Sequence, residues 1–341
     1  MALNYNTFQA LSATEVFVLQ ESSLSFIQLS PPSSFGFSPY VPSFTFTQQE
    51  VINFFAVPGC IANGQFFGPV YVQSGGLQLV TGPLPPFFSG GPLPAPLPSV
   101  KFFDQPNVAP AAFQTPSFDL SVVQAFALGL DGKLWFLNGI DNPSAMTSTQ
   151  VDGNVAAFQV LSDSEALVLG GNGNLWLENG PWGPVPPPRV LIAANVAIPV
   201  PVAEGTPIVF SFQALSDQQV FALDSSGDLW LETFPFAPEI LPPVQIDGNV
   251  LAFQALNAEA AFVLGRNGNL WYEYGPWGPV PPQRQLVDGN VVAFQALSNT
   301  QAFVLGANGN LWVENAPWGH APPPAQQRTL AAQNVRLPII F

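Results

Sequence analysis

The sequence predicts an all-β protein: a seven-bladed β-propeller of four-stranded antiparallel blades. Three observations predict it. A motif recurs seven times in the 341 residues, each unit contains short segments in which apolar and polar residues alternate, and Pro and Gly are abundant, at 38 and 29 residues. Pro and Gly interrupt long helices and favour short strands joined by turns. Four short strands in a period of about 40–60 residues are typical of a propeller blade.

The repeat is clearest near the end of the chain. Residues 253–278 and 294–319 share the pattern FQALxxxxAFVLGxNGNLWxExxPWG at a shift of 41 residues. In four units a Phe-Gln pair precedes a Trp, with 18 residues from Phe to Trp, and a Glu follows the Trp by two residues. These glutamates are Glu178, Glu232, Glu273 and Glu314. Three looser units precede them, and the seven Phe positions are 8, 54, 113, 158, 212, 253 and 294.

Each unit divides into strands and turns. In the last unit we expect strands at 290–297, 302–305 and 311–314, and a fourth strand like 284–287 of the unit before. The Gly-Ala-Asn-Gly-Asn segment predicts a tight turn, because Asn and Gly accept positive φ. We predict one domain over residues 1–341, with blades starting near residues 3, 51, 108, 154, 208, 249 and 290. An open β-solenoid is the alternative, although its coils are usually shorter than about 40 residues.

Composition excludes several classes of function. The formal net charge is −15, with 7 Lys and Arg against 22 Asp and Glu, whereas nucleic-acid binding needs clustered Lys and Arg. No apolar run reaches the roughly 18 residues of a membrane-spanning helix. The single Cys60 and single His320 exclude a disulfide within the chain, a cysteine-based zinc site and a site with several imidazoles. We therefore expect no metal and no cofactor.

The sequence does not predict an enzyme or a cleavable leader. The repeated acids occur once per unit, as structural residues do, and the other acids are too scattered to predict a catalytic pair. Residues 1–20 lack the basic start and apolar centre of a signal peptide. We expect an extracellular or cell-surface location reached by another route, with the cytoplasm as the alternative.

One segment of the repeat resembles a known family. The pattern FVLGxNGNLWxE, as in residues 262–273, resembles the strand–turn–strand core of seven-bladed bacterial and fungal propeller lectins, and more distantly of the tachylectin type. The resemblance covers the second and third strands of five to seven units. It implies a lectin-like module with repeated sugar sites around the rim of the ring.

The candidate ligand-binding residues lie in and beside Pro-rich loops. Trp182, Trp277 and Trp318 occur in Gly-Pro-Trp-Gly or Ala-Pro-Trp-Gly loops, where exposed rings would suit stacking on a sugar or burial in a protein interface. Nearby hydrogen-bonding candidates are Glu178, Glu273 and Asn315.

Structural roles are the alternative for the repeated side chains. The strand tryptophans, such as Trp176 and Trp271, would fill the space between blades. The repeated Gln and Glu would form hydrogen bonds between blades, since buried polar groups need partners. The arginines that follow the loops would pair with a Glu on the adjacent strand, and these are Arg189, Arg284 and Arg328.

Two segments depart from the repeat. Residues 30–110 form a Phe-, Pro- and Gly-rich insertion, which would cover one face of the ring or contact another molecule. Residues 334–341 restart the repeat as a surplus strand, which would pair within its own ring or with a neighbouring copy. The candidate assembly residues in it are Leu337, Ile339, Ile340 and Phe341.

Three functional hypotheses follow. The first is a non-enzymatic lectin-like module that binds neutral glycans at repeated rim sites. The second is a self-assembling structural subunit of an extracellular filament, tube or sheath, joined through its aromatic loops and a donated C-terminal strand. The third is a hydrophobic-ligand site in the Phe-rich insertion.

Overall fold

The computed structural model describes the backbone of the strands between residues 8 and 114, and residues 124–335 apart from 130, 139–146, 184–185, 200–210, 217, 234–241, 279–280 and 320–326. In this part of the chain every regular element is a strand, and the strands form seven antiparallel sheets in chain order. Six sheets have four strands and one has five. The predicted all-β propeller architecture is confirmed.

Sheets 1 to 3 cover the divergent units. Sheet 1 contains β1 (Phe8–Ser12), β2 (Glu15–Gln20), β3 (Ser23–Gln28) and β4 (Ser43–Phe46). Sheet 2 contains β5 (Val51–Phe54), β6 (Ile61–Ala62), β7 (Gln65–Val72), β8 (Gly76–Pro83) and β9 (Ser99–Phe103), with β6 paired to β7. Sheet 3 contains β10 (Pro110–Gln114), β11 (Gln124–Gly129), β12 (Leu134–Asn138) and β13 (Thr147–Asp152).

Sheets 4 to 7 correspond to the regular units. Sheet 4 contains β14 (Val155–Val160), β15 (Glu165–Gly170), β16 (Leu175–Asn179) and β17 (Arg189–Ala193). Sheet 5 contains β18 (Phe212–Ala214), β19 (Gln219–Leu223), β20 (Leu229–Thr233) and β21 (Val244–Asp247). Sheet 6 contains β22 (Val250–Asn257), β23 (Ala260–Gly265), β24 (Leu270–Tyr274) and β25 (Gln283–Asp288). Sheet 7 contains β26 (Val291–Ser298), β27 (Gln301–Gly306), β28 (Leu311–Asn315) and β29 (Arg328–Ala332).

The second strand of each regular unit has a continuous apolar centre because this part is buried on both faces. In β15, Leu167 packs in the core shared with sheet 5, whereas Ala166 and Val168 pack in the core shared with sheet 3. Successive side chains of a strand point to opposite faces, so a strand between two other sheets needs a continuous apolar run. The core of the molecule therefore lies between neighbouring sheets.

The turns have the backbone that the sequence predicts. In the hairpin between β27 and β28, Gly309 has a φ of 77°, and Gly306 N–H donates to Asn310 O at 3.0 Å. The connections between sheets use asparagine in the same left-handed region, such as Asn290 with a φ of 56°. Asparagine tolerates this conformation better than most residues other than glycine.

The repeated Gln of each Phe-Gln pair joins one sheet to the next. Gln254 accepts from Ala296 N–H at 2.7 Å and donates to Ala296 O at 2.9 Å. Gln213 makes the same two bonds to Ala255, each at 2.8 Å. This confirms the hydrogen bonds between blades that the sequence predicts for the repeated Gln.

The first and last sheets are neighbours. Strand β1 of sheet 1 lies beside β26 of sheet 7, as it would in a closed ring. At the other end of the chain, Val335 N–H donates to Gly309 O at 2.9 Å, as Val291 N–H does to Gly268 O. The chain therefore restarts the repeat at Val335, and the candidate assembly residues Leu337, Ile339, Ile340 and Phe341 lie outside the described residues.

The predicted insertion at 30–110 contains regular structure. Strands β4 to β9 lie within it, and β5 to β9 form sheet 2. The side chains of this stretch lie outside the described part of the chain, so its predicted role as a cover or contact surface stays a prediction.

Candidate functional site

The loop tryptophans are anchored by their indole N–H groups. Trp182 Nε1 donates to Asp163 O at 2.8 Å, and Trp318 Nε1 donates to Asn299 O at 2.9 Å. Trp277 donates to Ala258 O in the same way. In each case the acceptor lies in the connection between the first two strands of the same sheet, so the Pro-rich loop is held at that end of the blade.

Each anchored indole packs edge-on against a phenylalanine of the preceding sheet. The centroid distances are 5.4 Å for Trp182–Phe126, 6.1 Å for Trp277–Phe221 and 5.7 Å for Trp318–Phe262. Aromatic pairs favour this geometry. Trp318 has only 9% of its surface exposed. The structure therefore corrects the expectation that all three rings project from the surface, because they fill the interfaces between sheets.

The strand tryptophans have a different environment from the one predicted. The guanidinium of an arginine on the adjacent strand lies over each ring, at centroid distances of 4.4 Å for Arg189–Trp176, 4.4 Å for Arg284–Trp271 and 4.3 Å for Arg328–Trp312. These three indoles are half-buried, and none belongs to the described core clusters between sheets. The loop tryptophans thus have the packing role between sheets that the sequence suggested for the strand tryptophans.

A surface cleft of about 490 Å³ lies between sheets 3 and 4. It is hereafter the binding cleft. One wall is formed by β12 and β13 of sheet 3. The other is formed by two connections of sheet 4, the one between β14 and β15 and the one between β16 and β17, which the hydrogen bond from Trp182 to Asp163 O holds together. The lining residues are Phe136, Asn138, Thr147, Thr149, Asp163, Ser164, Gly180, Pro181 and Trp182. Small-molecule sites are usually concave, with an apolar surface and a few polar groups.

The binding cleft combines two aromatic rings with uncharged hydrogen-bonding groups. The rings of Phe136 and Trp182 lie 6.3 Å apart at an angle of 40°. Asn138 and Thr147 are exposed on one wall and Ser164 on the other, and Asp163 is the single charged residue among the lining residues that the structure describes. An aromatic surface beside hydroxyl and amide groups can accept the apolar face of a ring while bonding its hydroxyls.

Buried acidic groups connect the same two sheets. Glu178 of β16 has 0% exposed surface, and its Oε1 lies 3.6 Å from Arg189 Nη1. The same nitrogen lies 3.3 Å from Oδ2 of Asp152, at the end of β13. This arrangement of one Asp from the preceding sheet with one Glu and one Arg is hereafter the acid–arginine set. It confirms the predicted pairing of Arg189 with a Glu on the adjacent strand.

Two further interfaces repeat the acid–arginine set. Arg284 Nη1 lies 3.4 Å from Asp247 Oδ2 and 3.7 Å from Glu273 Oε1, between sheets 5 and 6. Between sheets 6 and 7 the members are Asp288, Glu314 and Arg328. Between sheets 4 and 5 the Asp position is occupied by Ala193, and β21 contains no arginine. Asp and Arg are therefore present or absent together.

Burial raises the pKa of each glutamate in these sets. The pKa of Glu178 rises to about 8, because burial and the neighbouring Asp152 outweigh the attraction of Arg189. Burial and the neighbouring Asp raise the pKa values of Glu273 and Glu314 to about 9. Among the described residues no standard hydrogen-bond donor reaches these carboxyl oxygens. A proton on each Glu, donated to the Asp, satisfies the buried pair.

The predicted ligand-contact residues are separated by the structure. Glu178 and Glu273 have no exposed surface, so they do not reach a ligand in solution. Asn315 accepts from Gln301 Nε2 at 2.8 Å and donates to Gln327 O at 3.3 Å, so its side chain already has partners. Of the six candidates, Trp182 is the one that lines the binding cleft.

Sequence reasoning missed the wall formed by sheet 3. Phe136, Asn138, Thr147 and Thr149 belong to a unit with a Phe-to-Trp spacing of 22 residues instead of 18. The sequence did contain one indication of this wall, a departure from the repeat: Phe136 is aromatic where the next two units have leucine. The repeated positions, from which the ligand candidates Glu178 and Glu273 were predicted, are buried.

The described part of the chain contains neither a metal-ligand cluster nor a membrane-spanning helix. Its His, Cys, Asp and Glu side chains form no group of three that could hold a metal ion. It also contains no helix with the length and hydrophobicity needed to cross a bilayer.

Comparison with known proteins supports the fold. No protein-family model and no curated protein matches the sequence. The BP39L lectin from Burkholderia pseudomallei matches over 99% of this chain and 99% of its own, with a TM-score of 0.50 and 15% identity. The WD40 β-propeller domain of Doa1 matches over 92% and 90%, with a TM-score of 0.48 and 11% identity. The order of the sheets and the likeness to the BP39L lectin make the chain a β-propeller protein, and at 15% identity that likeness concerns the fold alone.

Proposed function

We propose that this protein is a non-enzymatic, lectin-like module that binds a neutral carbohydrate in the binding cleft between sheets 3 and 4. The observation that carries the proposal is the combination of Trp182 and Phe136 with the uncharged polar side chains of Asn138, Thr147 and Ser164. A sugar presents an apolar C–H face and a rim of hydroxyls, and this lining complements both.

The charge of the lining favours neutral glycans over anionic ones. Among the lining residues that the structure describes, Asp163 is the one with an acidic side chain, which disfavours a sialylated or sulfated sugar. The existence of a lectin with the same fold is compatible with this function and does not establish it. An extracellular or cell-surface location accords with glycan binding and stays a prediction.

The first test is a broad glycan array, followed by calorimetry of each glycan that binds. Asn138→Ala and Thr147→Ala should weaken binding about three- to tenfold each, because each removes a hydrogen bond worth about 0.5–1.5 kcal/mol. Ser148→Ala is the matched control, since Ser148 is exposed between Thr147 and Thr149 on β13 but does not line the cleft. Equal affinity of all three variants would contradict the site, and the absence of any bound glycan would contradict the function.

One observation favours a second candidate function, assembly through a donated strand. The backbone at Asn334, with a φ of 55°, and the bond from Val335 N–H to Gly309 O repeat the geometry that begins sheets 4, 6 and 7. Strand β1 already lies beside β26, so the residues that follow Val335 would form a surplus strand. Deletion of residues 336–341 should then abolish any oligomer seen by light scattering, and an unchanged oligomer would contradict strand donation.

A further inference from the structure

The acid–arginine set of Asp152, Glu178 and Arg189 lies next to the binding cleft. Asp152 ends β13, whose Thr147 and Thr149 line one wall. Glu178 precedes by two residues Gly180, which lines the other wall. Arg189 Nη1 lies within 3.6 Å of both acids, so the set links the strands that carry the two walls.

The number of charges in this set requires a proton. One guanidinium faces two carboxyl groups, with Arg189 Nη1 3.3 Å from Asp152 and 3.6 Å from Glu178. Asp152 from sheet 3 and Arg189 from β17 are the charged groups that act on Glu178. If both acids were ionised, one negative charge would be uncompensated beside a fully buried side chain, which is costly. With one proton between the acids, the set is neutral.

We propose that the proton shared by Glu178 and Asp152 holds the two walls of the binding cleft together, so that its loss in alkaline solution separates the walls and weakens ligand binding. Glu178 is thus a positioning residue for the cleft. This regulation concerns the site of the proposed function and rests on it.

The expected range of the effect is mildly alkaline. Burial, together with the neighbouring Asp152, raises the pKa of Glu178 to about 8, so the proton is present at pH 6.5 and absent at pH 9.5. Two carboxylates on neighbouring sheets then repel each other, where a shared proton had kept the set neutral. Glu273 has the corresponding position between sheets 5 and 6, where it does not line the binding cleft, and provides a matched control.

The separation of the walls can be measured without a ligand. Spin labels at Ser148→Cys and Val190→Cys, in a full-length Cys60→Ser background, would report the distance between the outer strands β13 and β17 by double electron–electron resonance. Both positions are exposed. We expect a longer mean distance at pH 9.5 than at pH 6.5, no change in Glu178→Gln, and the wild-type change in Glu273→Gln. A constant distance in the otherwise wild-type protein, or the same change in Glu178→Gln, would overturn the proposal.

A second variant keeps the test decisive if Glu178→Gln does not fold. Asp152→Asn removes one of the two carboxylates while keeping a hydrogen-bonding group, so ionised Glu178 no longer faces a second negative charge. The mean distance should then change much less between pH 6.5 and pH 9.5 than in the otherwise wild-type protein. A change as large as the wild-type one would overturn the role of the shared proton.

The last test measures the affinity for a ligand at two pH values. For a neutral glycan found on the array, affinity should fall about tenfold between pH 6.5 and pH 9.5, the effect of a coupling of about one pKa unit. In Glu178→Gln the change should be less than about twofold, and an equal loss in both proteins would overturn the proposal. If no glycan binds, the proposed function fails, and the distance measurement still decides whether the proton holds the walls together.

Discussion

At the scale of single residues, the repeated Gln shows why one side chain recurs at one position. The amide of Gln254 both donates to and accepts from the backbone of Ala296 in the next sheet. An amide is the neutral side-chain group that can satisfy a backbone N–H and C=O at once. The Phe-Gln pair is therefore a structural signature of contact between sheets.

The first prediction concerns this contact. Gln254→Ala should lower the free energy of unfolding by about 1–3 kcal/mol, because it leaves two backbone groups at the interface without partners. Urea unfolding followed by circular dichroism would measure it. Gln283→Ala, at an exposed position of the outer strand β25, is the control and should change stability by less than about 0.5 kcal/mol. Equal effects of the two substitutions would contradict the structural role of Gln254.

The repeated Glu marks the limit of residue-level prediction. The sequence shows that Glu178 and Glu273 occupy equivalent positions, but it does not show which face of the strand is covered by the next sheet. Burial is set by the packing of neighbouring sheets, which is a tertiary property. Pairing with an arginine on the adjacent strand was predictable, because that partner is local in the sheet.

At the scale of elements, strands and turns were predictable nearly to the residue. In sheet 7 the expected strands 302–305 and 311–314 are observed as Gln301–Gly306 and Leu311–Asn315. Apolar alternation and Asn-Gly turns are local signals, so the sequence states them directly. The orientation of the Pro-rich loops is not local, since it depends on a phenylalanine of the preceding sheet.

The second prediction concerns one such loop. Trp318→Ala should lower the free energy of unfolding by about 3–5 kcal/mol, since it empties a buried site against Phe262 and removes the bond to Asn299 O. Trp312→Ala is the control. The ring of Trp312 is half-buried and has Arg328 over one face, so this substitution should lower the free energy of unfolding by only about 1–2 kcal/mol. Thermal unfolding followed by circular dichroism would compare them. A larger loss for Trp312→Ala would contradict the packing role of the loop tryptophan between sheets.

At the scale of the whole molecule, the three acid–arginine sets change the charge and its pH dependence. With Glu178, Glu273 and Glu314 protonated at pH 7, the formal net charge of −15 becomes −12. Each set connects two sheets, so the protonated glutamates contribute to three of the interfaces between sheets. The sequence could not show this, because the members of a set come from two repeat units.

The third prediction is that stability to urea falls as the pH rises from about 5 to about 9. An unfolded glutamate loses its proton near its ordinary pKa of 4.5, whereas these three keep theirs in the fold to about pH 8 or 9. The folded protein therefore holds more protons than the unfolded chain across this range. The stabilising contribution of each site is full below about pH 4.5, falls as the pH rises, and is exhausted once the pH passes the pKa of that glutamate in the fold.

The control for this pH dependence is the triple variant Glu178→Gln, Glu273→Gln and Glu314→Gln. Its stability should vary much less between pH 5 and pH 9, because the amides do not titrate. Below about pH 4 both proteins should lose stability, since the pKa values of Asp131 and Asp224 are lowered in the fold by hydrogen bonds that outweigh their slight burial. A wild-type stability that rises between pH 5 and pH 9 would show that the three glutamates are ionised in the fold.

The most direct test of the central claim, that the binding cleft between sheets 3 and 4 binds a neutral carbohydrate, is an NMR titration of the indole N–H signals of the eight tryptophans with a glycan selected on the array. The signal of Trp182, assigned with Trp182→Phe, should shift on saturation, whereas those of Trp277 and Trp318 should stay in place. Shifts at Trp277 or Trp318 with none at Trp182, or no binding by any glycan, would contradict the account.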